Sequence, residues 1–128
     1  MILRIVIIIV GVGFLVPGLV GVFRAERLAE VVGLSVESEA GIAAVRVLIG
    51  APYLAMSAMT ILAAVRRQWA WLAPIAAIEG VMALTRLFSG LADGFGPDYA
   101  ASFAQLFIEV VVCVILSLGA ILPARRGL

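Results

Sequence analysis

Four long apolar stretches occupy most of this 128-residue sequence. A helix rises 1.5 Å per residue, so about 20 apolar residues suffice to cross a hydrocarbon core of about 30 Å. The stretches cover residues of about 5–23, 41–65, 69–92 and 99–122. Their apolar residues are continuous and lack the alternation of strands, which excludes a membrane β-barrel. The sequence therefore predicts an all-α fold, an antiparallel four-helix transmembrane bundle that forms a single integral membrane domain over residues 1–128.

Composition supports the membrane assignment and narrows the chemistry. Hydrophobic residues make up 65% of the chain and charged residues 13%, against roughly half and a quarter in soluble domains. Histidine is absent and Cys113 is the only cysteine, which removes the commonest metal ligand, proton shuttle and haem anchor as well as an internal disulfide. We therefore expect no metal and no cofactor. The expected partner is the lipid bilayer rather than a nucleic acid.

The segment between the first two stretches, residues 24–40, is mixed in character. Charged residues directly after the first stretch make a poor signal-peptide cleavage site, so we expect that stretch to be retained as a helix. Residues 24–32 are expected to form a short amphipathic helix that Gly33 stops. Either Ser35 or Ser38 is expected to cap the second span. The pattern is typical of an interfacial helix that lies along the membrane surface.

The arginines at the ends of the four stretches predict the orientation. Those on the side of the N-terminus are Arg4, Arg66, Arg67, Arg125 and Arg126. Only Arg24 and Arg27 fall on the other side, together with six acidic residues. Basic residues concentrate in cytoplasmic loops. We therefore expect a multi-pass protein with both termini in the cytoplasm.

Four ionisable residues lie inside the apolar stretches: Arg46, Glu79, Arg86 and Glu109. Each costs roughly 2.5–3.5 kcal/mol near a helix centre, so such residues normally turn inward and pair with one another or mark a site. Glu79 lies one heptad below Arg86 and deeper than the others. We expect Arg46, Arg86 and Glu109 to neutralise one another and Glu79 to lack a charged partner.

Helical spacing places these charges in polar stripes on three of the four spans. The second span has Arg46, Gly50, Tyr53, Ser57 and Thr60; the third has Glu79, Arg86, Ser89 and Asp93; the fourth has Gln105, Glu109, Cys113 and Ser117. The first span offers two glycine pairs for close helix packing, Gly11 with Gly18 and Gly13 with Gly21. We take as the candidate ligand site or polar network Arg46, Tyr53, Glu79, Arg86, Ser89, Asp93 and Glu109. Such a network either binds a ligand or only locks the helices together.

The motifs also resemble a known family. They are Arg24-x-x-x-Leu28, Ala44-Val45-Arg46 with Gly50 and Tyr53, Arg86-Leu87-Phe88-Ser89-Gly90 with Asp93-Gly94, and Glu109. Together they resemble the bacterial four-span membrane proteins grouped as domain-of-unknown-function family 4345, which are similar in size and layout to DoxX-like proteins. The resemblance implies a four-helix integral protein of the bacterial inner membrane whose family pattern matches Arg46, Gly50, Tyr53, Arg86, Ser89, Asp93 and Glu109. It implies no activity.

Three functions stay open from the sequence. In the first, the protein binds or moves a small hydrophobic or amphipathic molecule, such as a lipid or a quinone, which Arg46 and Arg86 recognise with Glu109 as their counter-ion. In the second, it is a non-catalytic accessory subunit that docks other membrane helices or a second copy. In the third and weakest, Glu79 and Glu109 perform acid–base chemistry on a lipid. Because this hypothesis ranks last, the sequence favours a protein that is not an enzyme.

Overall fold

The computed structural model describes residues 2–94 and 99–125; of residues 93, 99, 101 and 123–125 it describes only the backbone. All regular elements in these ranges are helical, which confirms the all-α prediction. Four helical segments are long and apolar enough to cross a membrane, and they are Ile2–Phe23, Glu39–Arg66, Trp69–Ala92 and Ser102–Leu122. They coincide closely with the four predicted spans. The predicted turn at Gly96, Pro97 and Asp98 and the tail residue Arg126 lie outside the described residues.

The chain divides into two compact units, Met1–Arg67 and Gln68–Leu128. The first contains α1 (Ile2–Phe23), the short α2 (Ala25–Val31), and a second span. That span consists of α3 (Glu39–Val45), a π-helical turn and α4 (Ala51–Arg66). The second unit contains a 3₁₀ turn (Trp69–Trp71), α5 (Leu72–Asp93) and α6 (Tyr99–Arg125).

Glycines bring α1 into backbone contact with the second span. A Cβ atom at Gly18 would lie 2.8 Å from the backbone nitrogen of Leu54, and one at Gly21 would lie 2.6 Å from the Cα of Gly50. Rising numbers on α1 meet falling numbers on its partner, so the two helices are antiparallel. Gly11 is buried in the same contact.

Gly13 does not take part in this contact. Its side is exposed, and a Cβ there would meet nothing within 4 Å. The prediction that Gly13 and Gly21 form a packing pair is therefore wrong for Gly13. Gly13 and Gly21 are eight residues apart. At 3.6 residues per turn they point in different directions from the helix axis, so they do not share one face.

The second span changes its helical register just before Pro52. Residues Arg46–Gly50 form a π-helical turn, and the N–H of Ala51 donates to the carbonyl oxygen of Arg46. Proline has no N–H, and its ring clashes with the carbonyl four residues earlier, so an α-helical turn does not close normally there. The wider π turn accommodates this clash. It also rotates Arg46 relative to the face that α4 presents to α1.

Local capping explains where the connecting segment begins and ends. Gly33 adopts φ +75, and the N–H groups of Gly33 and Leu34 donate to the carbonyls of Glu30 and Ala29. This is the Schellman arrangement that ends α2, as the sequence predicted. Ser38 accepts a hydrogen bond from the N–H of Gly41 at 3.1 Å, so Ser38 rather than Ser35 caps α3.

The second unit is an antiparallel pair of α5 and α6. Arg86 of α5 contacts Glu109 of α6, whereas Ala76, earlier on α5, contacts Cys113, later on α6. The Cys113 thiol donates to the Ala76 carbonyl oxygen at 3.3 Å. Small residues at this crossing let a side chain reach the neighbouring backbone.

Candidate functional site

An ion pair joins the two long helices of the second unit. The Nε of Arg86 lies 3.1 Å from each carboxylate oxygen of Glu109, and its Nη2 lies 2.8 Å from Oε1. This is a two-point contact along one edge of the guanidinium, the strongest geometry for an arginine and a carboxylate. Arg86 therefore has a fixed orientation.

The two partners differ in exposure. The Glu109 side chain is 5% exposed and the Arg86 side chain 29%. A guanidinium carries five N–H donors, and among the described residues no protein acceptor contacts the Nη1 group of Arg86. The buried carboxylate thus holds one edge of Arg86, and the other edge keeps free donors.

Arg86 also lines an open cleft of about 580 Å³ in the second unit. The lining includes the hydroxyl residues Thr85, Ser89 and Ser102 and the apolar residues Val81 and Met82. A cleft of a few hundred Å³ with a few polar groups among apolar ones is typical of a small-molecule site. Arg86 is the one charged residue among the described residues of this lining.

Glu79 lies one heptad before Arg86 on α5. It is 3% exposed, and its Oε1 has no hydrogen-bond partner among the described residues. Its carboxyl interacts electrostatically with that of Glu109. Since Glu109 is already paired with Arg86, the group of three carries no net positive charge.

The other predicted site residues are placed differently. Ser89 lines the cleft, and Asp93 ends α5 with its side chain outside the described residues. Tyr53 is half-buried in the first unit, where its ring centroid lies 6.0 Å from that of Phe14. The structure therefore places Arg86, Ser89, Glu79 and Glu109 in one unit.

Arg46 departs from the expectation that the charges inside the spans turn inward. Its side chain is exposed, and it has no ion pair within the described part of the chain. The π turn that begins at this residue is the physical reason, because it shifts Arg46 off the face that carries the buried Ser57 and Thr60. A stripe drawn with a constant 3.6-residue period could not predict that shift.

Sequence reasoning missed two hydroxyl residues of the cleft, Thr85 and Ser102, as well as its apolar residues Val81 and Met82. Ser102 lies one heptad before Glu109, so the polar stripe of the fourth span could have been extended back to it. Thr85 lies four residues before Ser89, which lies four before Asp93, so the polar stripe of the third span could also have been extended back to Thr85.

The arrangement supports hydrogen bonding rather than bond cleavage. Guanidinium N–H groups and hydroxyls present donors to an oxygen acceptor. The two carboxyl side chains of this unit's spans do not line the cleft. The described lining of the cleft therefore presents hydrogen-bond donors to an oxygen acceptor.

The comparisons with known proteins agree with the architecture. Residues 2–120 match the family model described as Domain of unknown function (DUF4345). No curated protein and no solved structure matches the chain. The match covers nearly the whole chain; it includes three of the candidate membrane spans in full and the fourth, Ser102–Leu122, up to residue 120. The chain therefore belongs to the DUF4345 family.

Proposed function

We propose that this membrane protein binds the polar headgroup of a small amphipathic molecule in the cleft of its second unit. One observation carries the proposal: Arg86 lines a cleft of about 580 Å³, and Glu109 holds its Nε and Nη2 while no acceptor among the described residues contacts its Nη1. The apolar tail of such a molecule would lie beside Val81 and Met82. Moving the molecule between leaflets is a further step of the same proposal.

The geometry favours binding over a purely structural lock. A purely structural role needs only the ion pair, which Glu109 forms with the Nε and Nη2 edge of the Arg86 guanidinium. It does not need a cleft beside it, yet Arg86 lines one together with the hydroxyl residues Ser89 and Ser102, which come from different helices. Intramembrane charges next to a cavity commonly mark a ligand pathway.

We further propose that the protein lies in a bacterial inner membrane with both termini in the cytoplasm, as the distribution of arginines predicts. Arg86 is seven residues from Asp93, about 10 Å along the helix. On this topology the cleft opens toward the outer leaflet.

Cysteine labelling tests the topology. In a Cys113→Ala background, we expect an impermeant maleimide to label Ser35→Cys in intact cells and Gln68→Cys only after lysis, because these exposed positions lie at opposite ends of the second span. The reverse pattern would place the termini outside.

Native mass spectrometry of the protein extracted in mild detergent tests binding. We expect a lipid-sized adduct on the 13.4 kDa chain, lost in Arg86→Gln because the free donors are removed. Arg46→Gln is the matched control, since it removes an arginine from another span without touching a cleft residue. Ser89→Ala with Ser102→Ala leaves the ion pair intact and should weaken the adduct, so a folding defect at Arg86 cannot explain both results. Adducts unchanged in both cleft variants would refute the proposal.

A second candidate, an accessory subunit, is favoured by the exposed alanines of the third span. Ala70, Ala73 and Ala77 are exposed, whereas Ala76 and Ala83 are buried. Small residues at this spacing let helices approach closely. This role predicts that the same mass spectra show a fixed complex with another membrane protein. The exposed change Ala73→Leu should abolish that complex.

A further inference from the structure

We propose that the cleft selects a neutral, oxygen-bearing headgroup, such as the hydroxyl and ester groups of a glycerolipid, over an anionic headgroup. The inference rests on the proposed function and specifies its ligand class. An arginine in a membrane cleft ordinarily suggests an anion. Here the charge of that arginine is already balanced.

The balance follows from the ion pair. Glu109 contacts Arg86 through both carboxylate oxygens, at 3.1 Å from Nε and 2.8 Å from Nη2. Because Glu109 is almost fully buried, water screens its charge little. An anion bound at the free edge of Arg86 would therefore be repelled by a carboxylate just across the guanidinium.

Glu79 makes an anion still less favourable. It is buried within one heptad of Arg86 and interacts electrostatically with Glu109. If Glu79 is protonated, the three groups sum to zero; if it is ionised, they sum to one negative charge. In neither state does the site carry the positive charge that an anionic headgroup needs.

Apart from Arg125 and Arg126 at the end of the sequence, the second unit contains no basic residue besides Arg86. From Gln68 to Ala124 the sequence contains Arg86 as its one basic residue, against the four acidic residues Glu79, Asp93, Asp98 and Glu109. These acidic residues are screened to different degrees by solvent. Whatever the screening, none of them attracts an anion.

Hydrogen-bond capacity points to the same class of ligand. The free N–H groups of Arg86 need acceptors, and hydroxyls such as Ser89 and Ser102 both donate and accept. Ester carbonyls and free hydroxyls satisfy both requirements without bringing a charge. A quinone ring offers acceptors only, so it shares the neutral character but uses fewer of these groups.

The experiment compares three probes on wild-type protein in nanodiscs: dioleoylglycerol, dioleoylphosphatidylglycerol and a benzoquinone with an isoprenoid tail. The first two have the same acyl chains and differ in headgroup charge. Competition read by native mass spectrometry is expected to favour dioleoylglycerol over dioleoylphosphatidylglycerol by about tenfold or more, which corresponds to about 1.4 kcal/mol. Preference for the quinone over dioleoylglycerol would still support selection of a neutral headgroup, with a quinone rather than a glycerolipid as the ligand.

Variants separate the failure of this inference from the failure of the proposed function. Retention of dioleoylphosphatidylglycerol equal to or above that of dioleoylglycerol, abolished in Arg86→Gln, would overturn the neutral selectivity while keeping the binding site. Equal retention of all probes in wild type and Arg86→Gln would overturn both.

Two carboxyl variants provide the internal check. Glu109→Gln leaves the charge of Arg86 uncompensated, so selectivity should shift toward dioleoylphosphatidylglycerol in protein that circular dichroism shows to be folded. Glu79→Gln removes a carboxyl from the same region but keeps the ion pair, so the neutral preference should persist. A shift in Glu79→Gln as large as that in Glu109→Gln would contradict the role assigned to the ion pair. The wild-type comparison decides the selectivity even where Glu109→Gln does not fold.

Discussion

Glu109→Gln is expected to lower the free energy of unfolding by about 3 kcal/mol, the low end of the range of about 3–5 kcal/mol for breaking a buried ion pair. The variant leaves the Arg86 charge inside the second unit without the carboxylate that it contacts at 2.8 Å. The low end applies because Arg86 is 29% exposed and can recover part of its solvation. Unfolding in mixed detergent micelles, followed by far-ultraviolet circular dichroism, measures the loss.

Two controls identify the cause of that loss. Replacing both partners, Arg86→Met with Glu109→Met, removes both charges and should recover most of the stability, since an apolar pair of similar volume carries no desolvation cost. Glu30→Gln breaks an ion pair of 3.8 Å whose side chains are 75% and 70% exposed. That change should cost no more than about 0.5 kcal/mol. A double variant as unstable as Glu109→Gln would mean that shape, not charge balance, fixes this contact.

Gly50→Ala is the second change with a large expected effect. The new Cβ would lie 2.7 Å from the carbonyl carbon of Gly21 and 2.8 Å from the nitrogen of Val22. Both atoms belong to the backbone, so α1 and the second span must separate. Overpacking costs about 1–3 kcal/mol, and the higher helix propensity of alanine returns about 0.5–1 kcal/mol. We expect a net loss of about 1–2 kcal/mol in the same unfolding assay.

Gly13→Ala is the matched control on α1. A Cβ there meets nothing within 4 Å, so we expect stability to stay unchanged or rise by up to about 1 kcal/mol. Equal losses at both glycines would show that the helix needs glycine for flexibility rather than for close approach.

Several features could be predicted because they depend on neighbouring residues alone. The stop at Gly33 needs a residue that tolerates positive φ, and the start of α3 needs a side-chain oxygen such as that of Ser38. The four spans follow from the length of the apolar stretches, since a continuous apolar stretch without alternation can satisfy its backbone hydrogen bonds in hydrocarbon only as a helix.

The candidate site could be predicted only in part. The cost of charge in a membrane required partners for Arg86 and Glu109, and depth along the spans made them plausible partners. For Arg46 the argument assumed an unbroken α-helix and did not include the π turn before Pro52, and within the first unit its side chain is exposed. It also left out Thr85, because the argument started from charged residues and Thr85 is uncharged.

By itself, the sequence determined the helical class, the number of spans and the need to neutralise buried charge, because these follow from the energetics of a chain in hydrocarbon. Tertiary structure alone decided which glycines touch a neighbouring backbone and which edge of Arg86 stays free. Those outcomes depend on the rotation and separation of packed helices, which shift with a single π turn or a single Cβ atom. The proposed ligand chemistry follows from the second kind of information, since charge balance in the cleft depends on the contact between Arg86 and Glu109.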